Sequence, residues 1–370
     1  MLVNVITRHA PANYGSLLQT IATQKVIMKL GYECKIIDYI PKCETGTRVA
    51  FTQLTGKKEW NKNLLKKAVY LVGRESENMI MYKKFSSMRK KYLSMGARYS
   101  SNEELKQAYA NETGSIFFTG SDQVWGPIST GTYDSAYFLD FAPIKARKYA
   151  FAASFGKKIF DESTMAEYKK YLKKYNRIAV RENSAVDILK KMGISSEQVL
   201  DPTLLLSAEE WSTFIDSIKK PVKYVLVYQI HNNPELDKYA SKFAKKACLP
   251  LIRVSPLLHQ AIRSGKFVYL PDISVFLDLI KNATYLVTDS FHGTAFAINF
   301  NTQFVEILPN TGTSSRNQSI LELTGLNNRI LRDLDEFCYI DEIIDFSEAN
   351  RIISQKRVEG IQFLKQCICE

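Results

Sequence analysis

An alternation of short apolar runs with segments of helical period, gone through twice in succession, restricts this chain more than any other feature. Such alternation is how parallel sheets with crossover helices are written in sequence. In the first set, Leu2 to Thr7 reads as a strand. A helix follows from about Gly15, with Leu18, Ile21, Ala22, Val26 and Leu30 on one face and Gly31 as its stop. Cys34 to Tyr39 is a second strand, and Ile116–Thr119, Tyr149–Ala153 and Ile178–Val180 are further ones, with helices at about 162–175 and 183–192. The second set starts with a helix near Ala208. It continues as strand Tyr224–Gln229, helix 234–247, strand Leu251–Val254, helix 274–281, strand Tyr285–Thr288, helix 292–299 and strand Phe304–Leu308. A last helical segment at about 342–368 carries Ile353, Ile361, Leu364 and Ile368 and is long enough to return over the first domain. The expected division is therefore 1–205 with a basic helical insertion at 57–91, then 206–340, then 341–370 as the returning helix.

At 370 residues the chain exceeds one ordinary domain, and 45% apolar residues suffice for a sizeable core. No stretch approaches the roughly 18 to 20 consecutive apolar residues that a membrane span needs. The N-terminal MLVNVITRHA has no basic region ahead of its apolar residues and reads as a strand rather than a secretory signal, so a cytoplasmic protein is expected. Six widely spaced cysteines predict free thiols, and Cys367-x-Cys369 lacks a second ligand pair, so no metal is expected. The net charge of +12 favours anionic partners: nucleic acid, anionic lipid or phosphorylated small molecules. Residues 57–91 hold eleven Lys and Arg against Glu59, Glu75 and Glu77, a net +8. On a helix starting near Trp60, residues Trp60, Leu64, Ala68 and Leu71 fall opposite Lys58, Lys62 and Lys66. Either that stripe packs on the first domain with the lysines solvated, or it makes a peripheral contact with the inner face of an anionic membrane.

In doubly wound sheets ligands bind where strands turn into helices, whose free N–H groups and dipole attract anions. The turn from Thr7 to Ser16 offers Gly15 for close backbone approach and Asn13 or Ser16 as a cap. Without GxGxxG or GxxxxGK[ST], no dinucleotide or P-loop site is supported. The turn Asp289-Ser290-Phe291-His292-Gly293 places a histidine at a helix start, neutral and ready to exchange a proton, or held protonated by Asp289, or simply structural. His9, His231 and His259 have weaker contexts. Ser121, Asp122, Gln123 and Trp125 set small polar groups beside an aromatic ring, an arrangement suited either to hydroxylated ligands or to anchoring a loop. Arg181, at a strand end, can pair with phosphate or carboxylate, or form a salt bridge with Glu182.

Seven segments in one order, Asn13-Tyr14-Gly15 with Leu18-Gln19, GSDQVW at 120–125, AYFLDF at 136–141, AASFGK at 152–157, VRENS at 180–184, LDPTLLL at 200–206 and TDSFHGTAFAINF at 288–300, resemble the polysaccharide pyruvyl transferase family. The resemblance implies an α/β fold of two Rossmann-like doubly wound domains, glycosyltransferase-B-like, with the C-terminal helix crossing back to the first. It also implies the activity: moving the enolpyruvyl group of phosphoenolpyruvate onto a sugar of an exopolysaccharide or capsule precursor, leaving a pyruvate ketal. Phosphoenolpyruvate enters as co-substrate, with no cofactor and no nucleic acid partner. The acceptor is a sugar that is free, nucleotide-linked or lipid-linked. A site for this donor needs cations or helix N-termini, and a proton for the enol methylene before a hydroxyl attacks.

On this resemblance His292 and Arg181 are the catalytic pair. Arg8, Asn13, Gly15, Ser290, Gly293 and Arg316 take the donor, and Ser121, Asp122, Gln123 and Trp125 take the acceptor. Many members of the family have arginine where this chain has Ser290, and Arg8 or Arg316 would supply the missing charge. Two other functions share the architecture: a nucleotide-sugar-dependent glycosyltransferase, and a non-catalytic protein that binds glycan lipid.

Overall fold

The computed structural model describes residues 1–45, 54, 63–112, 114–128, 131–157, 159–216, 223–309 and 314–369. They form two compact units, Met1–Gln198 with Leu364–Glu370, and Val199–Phe363. The first unit comprises β1 (Leu2–Ile6), α1 (Tyr14–Lys29), β2 (Glu33–Tyr39), α2 (Leu64–Tyr92), β3 (Met95–Tyr99), α3 (Asn102–Tyr109), β4 (Ile116–Thr119), β5 (Arg147–Ala153), α4 (Glu162–Leu172), β6 (Arg177–Val180), α5 (Asn183–Lys191) and β7 (Glu197–Gln198). Its seven strands are all parallel in the order β3-β2-β1-β4-β5-β6-β7. The order reverses between β1 and β4, where Ile6 lies opposite Thr119. Ligands bind doubly wound sheets at such a reversal, outside the carboxyl ends of the strands.

α1 departs from the one-faced helix that the spacing predicts: Tyr14 to Gln24 are all buried. Its polar side chains make bonds inside the unit. Gln24 Nε2 donates to the carbonyls of Cys34 and Ser94, and Gln19 Nε2 to Thr7 Oγ1 at 3.0 Å. Neither β3 nor α3 carries a strong signal in the sequence, and for β3 the reason is plain. As an edge strand, MGARY is mostly exposed, so it has no apolar run.

α2 starts at Leu64, with Asn63 Oδ1 accepting from the backbone N–H of Leu65 at 2.9 Å. The expected start near Trp60 lies outside the described residues, as do Lys58 and Lys62. The expected packing of Leu64 and Ala68 on the unit is not what the helix does. Both are exposed, and the residues α2 buries are Met81, Phe85, Met88 and Arg89, in its C-terminal half.

The second unit comprises α6 (Pro202–Leu205), α7 (Ala208–Ser212), β8 (Val225–Tyr228), α8 (Pro234–Lys246), β9 (Leu251–Ser255), β10 (Lys266–Tyr269), α9 (Ile273–Lys281), β11 (Tyr285–Thr288), α10 (Phe291–Phe300), β12 (Phe304–Glu306), α11 (Ser314–Thr324) and most of α12 (Ser347–Cys369). Its sheet is parallel throughout, in the order β10-β9-β8-β11-β12, and reverses between β8 and β11. The central strands VLVY and YLVT are wholly buried, because helices cover both faces. The segment 199–205 belongs to this unit and not, as the sequence suggests, to the first. Asn299 Nδ2 on α10 donates to the carbonyls of Thr203 and Leu206, and Trp211 Nε1 donates to the Thr203 carbonyl at 2.8 Å.

The last residues of α12 count with the first unit, where Arg177 Nη1 donates to Gln366 Oε1 at 2.9 Å. Among the described residues, no helix is long and apolar enough to cross a membrane.

Candidate active site

Each unit gathers its own constellation at the reversal point of its sheet. In the first, the turns after β1 and β4 are stitched together by Thr7 Oγ1 donating to the Ser121 carbonyl at 2.6 Å and Gly120 N–H donating to the Ile6 carbonyl at 2.8 Å. Gly120 allows this approach: a Cβ there would lie 3.1 Å from Thr7 Cβ and 3.2 Å from Val5 Cγ1. Asn13 caps α1, its Oδ1 accepting from Gly15 N–H at 2.8 Å and Ser16 N–H at 3.3 Å. Ser16 Oγ donates to Asp122 Oδ2 at 2.6 Å. Asp122 has φ of 78°, a left-handed conformation that a non-glycine residue adopts at a cost, and such strain gathers at functional sites. Its Oδ1 accepts from the backbone N–H of Gln123, and its carbonyl from Ser154 N–H.

Arg181, at the end of β6, reaches this cluster. Its Nη1 lies 3.4 Å from Ser121 Oγ, its Nη2 3.9 Å from Asp122 Oδ1 and its Nε 3.7 Å from Glu182 Oε2. The guanidinium is buried, so this is no solvated surface salt bridge. Glu182 Oε1 is occupied by the Ser154 hydroxyl at 2.6 Å. Arg8 pairs with Glu44. Burial opposes its charge, but Tyr137, Glu44 and Asp122 together lift its pKa above the ordinary value.

Arg8, Asn13, Gly15, Ser121, Asp122 and Arg181 are thus brought together at one sheet reversal, although the sequence assigns them to donor, acceptor and catalysis separately. Gln123 is half-buried beside Gly156, whose Cβ would lie 2.8 Å from the Gln123 side chain. Trp125 is no platform for a sugar. It is fully buried, its ring stacked on Phe138 at 5.9 Å and tilted against Phe155 at 5.1 Å, so hydrophobic packing decides its place. His9 is likewise structural: it is buried, and its Nε2 lies 3.0 Å from Asp38 Oδ1.

In the second unit β11 ends at Thr288, whose hydroxyl donates to the Tyr228 carbonyl at 2.6 Å. Ser290 then caps α10. It is fully buried, and its Oγ accepts from Gly293 N–H at 3.2 Å. This accounts for a serine here, since an arginine side chain has no acceptor with which to cap the helix. Gly293 matters for steric reasons, because a Cβ there would lie 2.5 Å from Thr288 Oγ1 and 3.1 Å from Tyr228 Cδ1. Without that Cβ, the first turn of α10 sits directly on β11.

His292, the first-turn neighbour of that glycine, is 5% exposed and faces Asp201, with Nε2 3.8 Å from Asp201 Oδ2. Asp201 Oδ1 accepts from the backbone N–H of Thr203 at 2.9 Å and from its hydroxyl at 2.7 Å, which fixes the carboxylate. Asp289, the partner of His292 in one of the three readings of the sequence, is engaged elsewhere. It accepts from Ile230 N–H at 2.7 Å and His231 N–H at 3.0 Å, and His231 Nδ1 lies 3.3 Å from it.

Two acidic residues of this site escape sequence reasoning. Asp201 stands within the LDPTLLL segment but some ninety positions before the histidine it faces. Glu306 ends β12, fully buried, bonded by the Thr294 hydroxyl and, at 2.6 Å, by Asn317 Nδ2. Burial, with a contribution from Asp289, pushes its carboxyl up to about 8 against the pull of those two bonds. Arg316 precedes Asn317 on α11 and so shares the unit of His292, whereas Arg8 belongs to the other.

A family model described as polysaccharide pyruvyl transferase matches residues 13–310. No curated protein matches the chain. Among solved structures, a Staphylococcus aureus MnaA–UDP co-structure is similar over 100% of this chain and 98% of its own, with 11% identity and a TM-score of 0.54. Arabidopsis thaliana UGT89C1 complexed with UDP-L-rhamnose is similar over 100% of this chain and 99% of its own, with 9% identity and a TM-score of 0.53. The UDP-GlcNAc 2-epimerase of Methanocaldococcus jannaschii is similar over 98% of this chain and 92% of its own, with 11% identity and a TM-score of 0.52. At these identities the likeness concerns the fold, two parallel α/β units of the glycosyltransferase-B kind.

Proposed function

The chain belongs to the polysaccharide pyruvyl transferase family, and from that premise we propose that it transfers the enolpyruvyl group of phosphoenolpyruvate to two hydroxyls of a sugar in an exopolysaccharide or capsule precursor. The observation that carries this reading is the His292–Asp201 pair at the start of a helix resting on the carboxyl end of β11. An imidazolium held by a fixed carboxylate is a general acid of the kind an enol needs. His292 gives a proton to the methylene carbon. The sugar hydroxyl attacks the adjacent carbon, forming one C–O bond and returning a proton to His292. A second hydroxyl then forms the other C–O bond as the C–O bond to phosphate breaks, its proton leaving with the inorganic phosphate and the ketal remaining.

Arg181 and Arg8 supply cationic donors suited to the phosphate and carboxylate of phosphoenolpyruvate. Ser121 and Asp122, beside Arg181, are the hydrogen-bonding groups suited to sugar hydroxyls. The test is incubation of the protein with phosphoenolpyruvate and candidate glycans, with mass spectrometry for the pyruvyl increment and assay of released phosphate. Both signals are expected together. A rise in melting temperature with a uridine nucleotide but not with phosphoenolpyruvate, and no pyruvyl increment, would favour glycosyl transfer instead.

A further inference from the structure

Among the described residues, α2 is anchored at its C-terminal end only. In its C-terminal half, Phe85 lies 5.2 Å from the ring of Tyr14, and Arg89 Nη1 donates to the Ala10 carbonyl at 3.0 Å. From Leu64 to Ile80 no residue is buried. Leu64 is 86% exposed, Leu65 74% and Val72 69%, and Val69, Met79 and Ile80 are exposed as well. With a helical repeat of 3.6 residues, Leu65, Val69, Val72, Ser76, Met79 and Ile80 fall on one strip. Lys83 and Lys90, both exposed, continue that strip toward the C-terminus, and Lys66 flanks it.

The whole helix carries eight Lys and Arg against Glu75 and Glu77, a net +6. The Arg74–Glu77 pair leaves the charge concentrated in the lysines and Arg89. Soluble surfaces rarely leave so many large apolar side chains in line without a partner. Bare nucleic acid has no use for the apolar strip. A second copy laid along it would bring two helices of +6 together, a like-charge juxtaposition. An anionic bilayer meets both features at once.

We propose that the N-terminal half of α2 is a membrane-surface anchor. Leu65, Val69, Val72, Met79 and Ile80 enter the boundary between headgroups and acyl chains of an anionic bilayer, and the lysines reach its phosphates by extending their stems. This inference is independent of the reaction proposed above, and its test needs no turnover. The wild-type protein should co-sediment with vesicles containing phosphatidylglycerol at low salt, less so as salt is raised, and poorly with phosphatidylcholine vesicles. In Val69→Glu/Val72→Glu both changes fall on exposed positions, so the melting temperature should stay unchanged while vesicle affinity drops about a hundredfold. Wild-type protein that stays in the supernatant at low salt overturns the proposal. So does undiminished binding by the folded double variant, or a dimer that the double variant abolishes while vesicle binding is absent.

Discussion

His292 Nε2 stands 3.8 Å from Asp201 Oδ2, and the other oxygen of Asp201 is held by both the backbone N–H and the hydroxyl of Thr203. The carboxylate is thus fixed by its own short helix before it meets the imidazole. In a general acid such a carboxylate stabilises the protonated ring without itself moving a proton. His292→Ala should lower turnover by about 10² to 10⁴-fold, the usual yield of general acid–base catalysis, with the protein still folded. Asp201→Asn should cost roughly tenfold or more, because the ring loses the carboxylate that orients it. Turnover of the two folded variants against the wild type checks this, and wild-type turnover in Asp201→Asn would assign Asp201 to packing alone.

Arg181 is buried beside Ser121, Asp122 and Glu182, at distances too long for a bidentate pair with either carboxylate. A guanidinium fork binds a planar or tetrahedral anion with two parallel hydrogen bonds, which an ammonium cannot do. Arg181→Ala should raise the KM for phosphoenolpyruvate, and Arg181→Lys should recover little of the loss. Steady-state kinetics with varied phosphoenolpyruvate decide it, and an unchanged KM and kcat in Arg181→Ala would remove the residue from the donor site.

Gly293 holds the turn that carries His292 by what it lacks. A methyl group there would meet Thr288 Oγ1 at 2.5 Å, which is attached to a buried strand and bonded to the Tyr228 carbonyl. Gly293→Ala should therefore destabilise the second unit by about 1 to 3 kcal/mol, the range for overpacking, despite the general gain that alanine brings to helices. Denaturant unfolding against the wild type measures it. A neutral or stabilising result would show that α10 can lift from β11 at little cost.

The strands IFFT, VLVY and YLVT can be read from the sequence because burial on both faces turns a strand into a continuous apolar run. MGARY and KFVY cannot, since these two edge strands are largely exposed or half exposed and carry charge among their apolar residues. His292 is visible from its place after an apolar strand, a purely local signal. Its partner Asp201 is not, because tertiary contacts, among them the bonds from Asn299 to Thr203 and Leu206, bring that segment to α10. Trp125 shows the opposite failure: a tryptophan beside small polar residues looks the same in sequence whether its ring faces a ligand or the core. That α2 is amphipathic is legible, but the stripe read there, Trp60, Leu64, Ala68 and Leu71, is not the strip through Leu65, Val69 and Val72, because which face meets the unit depends on where Phe85 and Met88 dock, beyond the reach of periodicity.

Glu306 sets a pH dependence on the stability of the second unit. Its carboxyl is wholly buried and pushed up to about 8, while the same group in an unfolded chain titrates near 4.5. Between these values the folded state keeps a proton that the unfolded state has released. Stability therefore falls as pH rises from about 4.5 to about 8 and levels off above, the reverse of the usual behaviour of a salt-bridged carboxylate. Gln offers an acceptor to Asn317 and a donor to the Thr294 hydroxyl in nearly the same shape, with no proton to lose. Wild-type protein and Glu306→Gln should thus melt at similar temperatures near pH 5, and the variant should become progressively the more stable toward pH 8. Calorimetric melting of both proteins across that range reads the difference directly. Parallel curves would mean that Glu306 is already ionised in the fold, with Thr294 and Asn317 outweighing the cost of burying its charge.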